Sequence, residues 1–373
     1  MAVRSEPKAD AAAPTKLAIV DSDVHIHTPE GLKSVWGYIP KGWQERFDLK
    51  GIQVALSGST KTMRYAHPTS ATIRRDTISP RGGPGGSDPE FVREDYLDRW
   101  GISTAILNSL DPGSYGAALG NPDEATVICE AFNRYYIEHW LPVDNRYRYL
   151  MVVNPQDPQA SAKEIRRAGK TKGIIGVFLP PNNILMGQRW FHPIYEVATE
   201  LGLPIFVHVT GVDFVYQGAA VSAGGWPETY SERRISFSQI GEANVGSLVF
   251  SGVLERFPGL KFCFSEFGFT WALSLIWRMD DTWRTARRDT PWVKKPPSEY
   301  VRDRLRFTTQ PVDEPANPKH LLQMIDMIGP EHLLFSTDYP HWDNDNPNRV
   351  LANLEPAVRD QIYSTNPAKF WNL

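Results

Sequence analysis

Leu17-Ala18-Ile19-Val20-Asp21-Ser22-Asp23 is the first of eight short runs that are mostly apolar or β-branched. The others cover residues 102–108, 149–154, 174–179, 204–209, 261–266, 304–310 and 332–338. Near-continuous apolar runs of this length mark strands covered on both faces, the condition of a parallel sheet. Residues 123–140, 158–168, 191–200 and 318–328 lie between them and read as helices. Strand and helix in alternation predict βαβ units, and eight such units predict closure into a (β/α)8 TIM barrel rather than an open sheet.

Many of the runs stop at proline or glycine: Asn154-Pro155, Leu179-Pro180-Pro181, Thr210-Gly211, Phe267-Gly268, Gln310-Pro311 and Tyr339-Pro340. These residues end a strand and turn the chain across the barrel top. Polar side chains just before each stop therefore collect on one face, where barrel enzymes keep their catalytic groups. Two spacings exceed a simple loop. Residues 28–90 hold the Gly/Pro-rich tract 79–87, and residues 211–246 hold Gly218, Gly224-Gly225-Trp226-Pro227 and Tyr230. Both are expected as top-face insertions, after strands one and five, that carry substrate specificity. Residues 1–16 are rich in alanine, proline and charge and lack the apolar stretch of a signal peptide, so a disordered leader is expected before a single barrel domain over 17–373.

Of the 373 residues, 41% are hydrophobic and 22% charged, and the formal net charge is −3, enough for a large core on one near-neutral chain. That balance gives no electrostatic ground for a nucleic-acid or membrane partner. No segment reaches the roughly eighteen uninterrupted apolar residues that span a bilayer. Cys129 and Cys263 are too few for a disulfide framework, and Cys263 sits in the apolar run Lys261-Phe262-Cys263-Phe264 as a buried thiol. A cytoplasmic protein with a small-molecule substrate is expected.

The first strand ends Val20-Asp21-Ser22-Asp23-Val24-His25-Ile26-His27-Thr28-Pro29. Side chains alternate along a strand, so Asp21, Asp23, His25 and His27 share one face. Carboxylates and imidazoles converging in a barrel mouth are costly to bury unless something positive holds them. A divalent cation does so and takes these nitrogen and oxygen donors. Other strand ends add His208, in Phe206-Val207-His208-Val209, Glu266 after Phe262-Cys263-Phe264-Ser265, and Asp338 after Phe335-Ser336-Thr337. Each has a plainer reading: His208 as a core residue, Glu266 paired with Arg278, Asp338 on backbone amides. Their joint placement at strands one, five, six and eight favours a metal site. His341 is a second candidate for proton transfer, against a surface turn position. Gln310, Asn108 and, in the first insertion, Arg64 are candidates to bind substrate, with Trp226, Trp271, Trp342 and Phe178 as an aromatic wall.

With these strand-end motifs the chain resembles the amidohydrolase superfamily. The branch it resembles includes the aminocarboxymuconate-semialdehyde decarboxylase-like and resorcylate decarboxylase-like enzymes. The resemblance covers residues 17–373. It implies one divalent metal held by two first-strand residues, a strand-five His and a strand-eight Asp. His208 and Asp338 match the last two, and His25 is a ligand in either register of the first strand. The remaining ligand is Asp23 or His27: His25-Ile26-His27 reads as His-x-His, whereas Asp21 and Pro29 align Asp23 with the ligand position. Zinc is the first expectation for the metal, with manganese or iron as the others. A homodimer or homotetramer is implied as well.

The family's decarboxylases carry a His followed by glycines at the end of strand six, where this chain has Glu266-Phe267-Gly268. On that departure, hydrolysis by a metal-activated water leads. Asp338 is then the base, Glu266 orients water or substrate, and the substrate is a small aromatic or apolar carbonyl compound. The alternative is non-oxidative decarboxylation of an aromatic or unsaturated acid, in which a carboxyl group with a raised pKa relays the proton. A barrel that only binds its ligand is the third reading, and metal analysis separates it from the other two.

Overall fold

The computed structural model describes residues 18–50, 72–113, 119–209 and 228–373. The expected leader, residues 211–227 of the second insertion, Arg64 and Trp226 lie outside the described residues. Eight parallel strands form one sheet in sequence order: β1 (Ile19–His25), β2 (Ile102–Asn108), β3 (Tyr147–Val152), β4 (Ile174–Phe178), β5 (Ile205–His208), β6 (Phe262–Ser265), β7 (Leu305–Thr308) and β8 (Leu333–Leu334). Beyond the short β8, the chain completes the circle through hydrogen bonds from Ser22 N–H to Phe335 O (2.8 Å) and from His25 N–H to Tyr339 O (2.7 Å). A (β/α)8 barrel results, as the alternation predicts.

Burial on both faces gives two apolar layers. Val20, Ile106, Leu150, Val152, Phe178, Phe206, Cys263 and Leu334 form an inner cluster, joined by Phe370 and Trp371 of the C-terminal helix Asn366–Trp371. The second layer fills the space between strands and surrounding helices, among them Pro122–His139, Pro158–Ala168, His192–Leu201 and Pro318–Ile328. Three of those four begin with an Asn or Asp N-cap followed by proline at the first helical position, namely Asn121, Asp157 and Asn317. Among the described residues, no helix is long and apolar enough to cross a membrane.

The described parts of the insertions carry local structure. Residues 31–38 and 41–50 form helical segments, and Ile73 bridges His341 in antiparallel sense. The glycine tract is packed against the first strand: at Gly86 (φ +75°) a Cβ would lie 2.6 Å from the carbonyl oxygen of His25. Only glycine fits that approach. After β5, Phe237–Phe250 is a barrel helix, so the expected insertion 211–246 overlaps its first ten residues. An apolar helix with little polar contrast had hidden its start from a pattern reading.

Candidate metal centre

Strand alternation carries the polar ends of β1, β5 and the β8 segment to one point. Asp23, His25, His208 and Asp338 are all fully buried, and each offers a ligand atom within 4.8 Å of the others. Nε2 of His25 lies 2.6 Å from Oδ1 of Asp338 and 3.4 Å from Oδ1 of Asp23, and Nε2 of His208 lies 3.2 Å from Oδ2 of Asp23. His208 turns Nδ1 to the carbonyl oxygen of Val209, which only accepts, so Nδ1 carries a proton and Nε2 is the nitrogen that faces the cluster. Neither Nε2, nor Oδ2 of Asp338, has a hydrogen-bond partner among the described residues. Buried orphaned acceptors are costly. Two imidazoles and two carboxylates with unused lone pairs fit one divalent cation.

His27 is not in this group. Its Nδ1 lies 3.6 Å from Oδ2 of Asp111 instead. The group that comes together is the one expected from the register that puts Asp23, not His27, in the second first-strand position. The chain leaves β1 at His25, where its hydrogen bond to Tyr339 gives way to one between His27 N–H and Gly86 O (2.9 Å).

Surrounding groups fix the four donors. Asn108 donates from Nδ2 to Oδ1 of Asp23 (2.6 Å), and Ser265 donates its hydroxyl to Oδ2. Asn108, expected to orient substrate, thus grips a metal-site carboxylate through its amide N–H. Asp21 accepts from Thr337 N–H (3.0 Å), Thr337 O–H (2.6 Å), Asp23 N–H (3.1 Å) and the Tyr96 hydroxyl, tying β1 to the β8 segment. Ser265, Thr337 and Tyr96 escaped the sequence reading, because hydroxyl groups at strand ends carry no signal until their partners are known.

His341 is buried rather than on a surface turn. Its ring stacks on His25 with centroids 4.2 Å apart, and its Nδ1 is 2.8 Å from Oδ1 of Asp338. Glu266 approaches His208, Oε2 to Nε2, at 3.3 Å, so its partner is the site and not Arg278. Glu266 (φ 63°) and Asp338 (φ 65°) both hold left-handed backbone, unusual for non-glycine residues and costing about 1–3 kcal/mol each. That conformation turns each carboxyl group out of its strand line toward the cluster.

Two aromatic assignments change. Trp271 is core: it packs edge-on against Phe307 and donates its indole N–H to Phe267 O (2.9 Å). Phe178 is fully buried in the inner cluster, and its ring is edge-on to His208 at 6.3 Å, a floor under the site rather than a wall. Gln310 is fully buried and turns Nε2 to the backbone oxygen of Asp343 (3.3 Å). Asp343, unremarked in the sequence, is also paired with Arg234, whose guanidinium lies over Trp342 at 5.3 Å. Glu266, Asp338 and Asp343 can bring carboxylate oxygens within 4.8 Å of one another.

Charge sorts these groups. Burial opposes ionisation of Asp23, but His208 and His25 hold its carboxyl well below the usual range. Burial raises Asp338 to about 7 against the pull of His341. It raises Glu266 to about 8, reinforced by Asp338 and opposed by His208. His25 is driven well below its ordinary value by burial and His341. For His208 and His341 burial works downward, but Asp23 and Asp338 respectively win and lift them to about 9. The arrangement therefore sets a quartet able to take one cation beside a buried carboxyl group whose proton affinity is raised.

Known proteins share this framework. The gamma-resorcylate decarboxylase of Polaromonas sp. (strain JS666) is 25% identical over 297 residues, 74% of this chain and 84% of that protein. The 2-amino-3-carboxymuconate-6-semialdehyde decarboxylase of Dictyostelium discoideum is 25% identical over 261 residues, 68% and 67%. The crystal structure of 5-carboxyvanillate decarboxylase from Novosphingobium aromaticivorans, complexed with manganese and 4-hydroxy-3-methoxy-5-nitrobenzoic acid, superposes with a TM-score of 0.68 at 18% identity, covering 96% of this chain and 97% of that one. The amidohydrolase family model matches residues 22–373, and an enzyme fold with a buried His/Asp cluster over that span places the chain in the amidohydrolase family.

Proposed function

We propose that the protein is a metal-dependent, non-oxidative decarboxylase of an aromatic carboxylic acid. The observation that carries the reading is the buried Glu266 carboxyl, 3.3 Å from Nε2 of His208 and beside the buried quartet. The similarity of the chain to decarboxylases over two thirds or more of its length supports it. The argument for hydrolysis was the missing strand-six imidazole. It loses force because the site keeps a further buried imidazole, His341, 2.8 Å from Oδ1 of Asp338.

Asp23, His25, His208 and Asp338 would hold the cation, which when bound supplies Lewis-acid polarisation of the substrate's oxygens. Manganese, present in the related crystal structure, suits two carboxylates and two imidazoles as well as the zinc first expected. Asn108 and Ser265 keep Asp23 in place, and the Val209 carbonyl keeps His208 in the tautomer with a free Nε2. Glu266 delivers its proton to the ring carbon that bears the carboxylate. The bond from that carbon to the carboxylate then breaks, its electron pair returns to the ring and carbon dioxide leaves. Glu266 is reprotonated from solvent, so one proton is consumed per turnover.

The test is product analysis with manganese-loaded enzyme and a panel of hydroxy- and methoxybenzoic acids in deuterated water. Carbon dioxide release with one solvent deuteron in the ring is expected. Glu266→Gln should lower turnover on the order of 10²-fold or more while metal content is kept. Product carrying a water-derived oxygen, without carbon dioxide, would restore hydrolysis.

A further inference from the structure

On the flank of the barrel, the loop that leads from β4 into the helix His192–Leu201 is anchored on the helix Phe237–Phe250. Gly187 N–H donates to the Ser247 hydroxyl (3.0 Å), and a Cβ on Gly187 would lie 2.2 Å from the Ser247 carbonyl oxygen. Beside this contact opens a cavity of about 790 Å³ that shares no residue with the metal centre. Sites for ligands well beyond a single benzoic acid fall in the range of about 300–1,000 Å³. Trp190 and Trp292 line the cavity, and each indole is pinned by its N–H, to Pro155 O (2.9 Å) and to Phe250 O (2.7 Å). Both residues stay about half exposed, at 47% and 49%. Trp292 lies over Gly252 (φ +77°), where a Cβ would come within 2.6 Å of its ring. Indoles held in this way offer flat apolar surface to another ring. Charge is the second feature. Arg189, Arg256 and Lys294 line the same cavity with one acid, Glu255. Glu255 is engaged by Lys294 (3.7 Å) and by the Tyr300 hydroxyl. Arg189 and Arg256 have no ion pair or side-chain hydrogen bond among the described residues. The charges of both bear on His192, lowering its proton affinity beyond the effect of burial. Two guanidinium groups are thus left uncompensated at one place, on a chain whose formal net charge is −3.

We propose that this cavity is a second ligand site that takes a nucleotide, with the base stacked on Trp190 or Trp292 and the phosphate held by Arg189 and Arg256. A guanidinium matches a phosphate with two parallel N–H donors, and an anion shared by two of them removes their mutual repulsion. Aromatic side chains accept the face of any base, so the site selects the class rather than one base. A small aromatic acid offers ring and charge but leaves most of the cavity empty. The proposal does not depend on the reading of the metal centre.

The experiment measures binding, not turnover. Manganese-loaded protein is titrated by calorimetry with AMP, GMP, adenosine, inorganic phosphate and benzoate. Both nucleotides should bind with similar Kd values below about 1 mM, roughly ten-fold or more tighter than adenosine or inorganic phosphate. Arg189→Gln and Arg256→Gln should each weaken AMP about ten-fold. The double variant Trp190→Leu, Trp292→Leu should bring AMP down to the level of inorganic phosphate. Manganese content should be unchanged in every variant, since none of the four side chains belongs to the metal centre. The arginine variants, at exposed positions, serve if the tryptophan variant does not fold. Absence of nucleotide binding, a Kd for adenosine or inorganic phosphate equal to that of AMP, or AMP affinity that survives in both arginine variants would each overturn the proposal. Benzoate binding as tight as that of AMP, and lost in the arginine variants, would overturn it as well and give the cavity to the aromatic acid.

Discussion

Asn108 shows how a single side chain changes role once its partner is visible. At the end of an apolar strand, an amide reads equally well as a substrate contact or as loop satisfaction. Its Nδ2 lies 2.6 Å from Oδ1 of Asp23, which on the proposed metal site makes it a positioning residue for the cation. Asn108→Ala removes that donor and lets the carboxylate rotate. Partners of metal ligands are typically worth 10–100-fold in affinity. Manganese affinity measured by chelator competition should weaken about that much, with the fold intact by circular dichroism. Unchanged affinity would show that Ser265 alone suffices. The same visibility problem explains which parts of the site the sequence disclosed. Asp23, His25, His208 and Asp338 were legible because acid and imidazole at strand ends are conspicuous against apolar runs. Asp111 was not, because Leu110-Asp111-Pro112, a short helical stretch after β2, carries no distinctive pattern. Trp271 and Phe178 misled because position near a strand end does not say which way a ring faces.

Strands and most helices followed from pattern. Pro158–Ala168 and Pro318–Ile328 fall on their expected bounds, since proline at the start and an amphipathic stripe define both ends. The weakest element is the eighth strand, expected over residues 332–338 but paired with β7 only at Leu333–Leu334. From Phe335 on, the chain bonds instead to Ile362, to β1 and to Asp21, and Asp338 is bent into the left-handed region. Propensity cannot anticipate a strand recruited by its neighbours' polar groups. The tract 79–87 is a related case, a rigid brace rather than a loose excursion. Gly86→Ala would place Cβ against the His25 carbonyl in a conformation already unfavourable for alanine. We expect a loss of about 2 kcal/mol or more in urea denaturation, together with weaker metal binding, because the displaced backbone carries His25. A stability change under about 0.5 kcal/mol would mean the tract can shift away at no cost.

On the proposed metal site, metal binding is coupled to protonation across the whole barrel. Burial raises Asp21 and Asp338 to about 7 and Glu266 to about 8, all above the ordinary carboxyl range of about 4. Neighbouring carboxylates overcome burial to raise His208 and His341 to about 9, above the ordinary imidazole value of about 6.5. Between about pH 6.5 and 9 the folded chain without metal therefore binds more protons than the unfolded chain, so its stability falls as pH rises. Groups with lowered values, Asp23 and His25, act in the opposite sense but complete their contribution below that window. A cation at the quartet competes with these protons for the same lone pairs, and its affinity rises as they leave. Melting temperatures of chelated protein should thus decrease from pH 6.5 to pH 8.5, while saturating manganese should hold them nearly level. The gap between the two curves should widen by several degrees, since each kcal/mol is worth roughly 2–4 °C in chains of moderate size. A gap that stays constant with pH would show that the protons and the cation occupy separate groups, and would remove the electrostatic basis for placing the metal at these four residues.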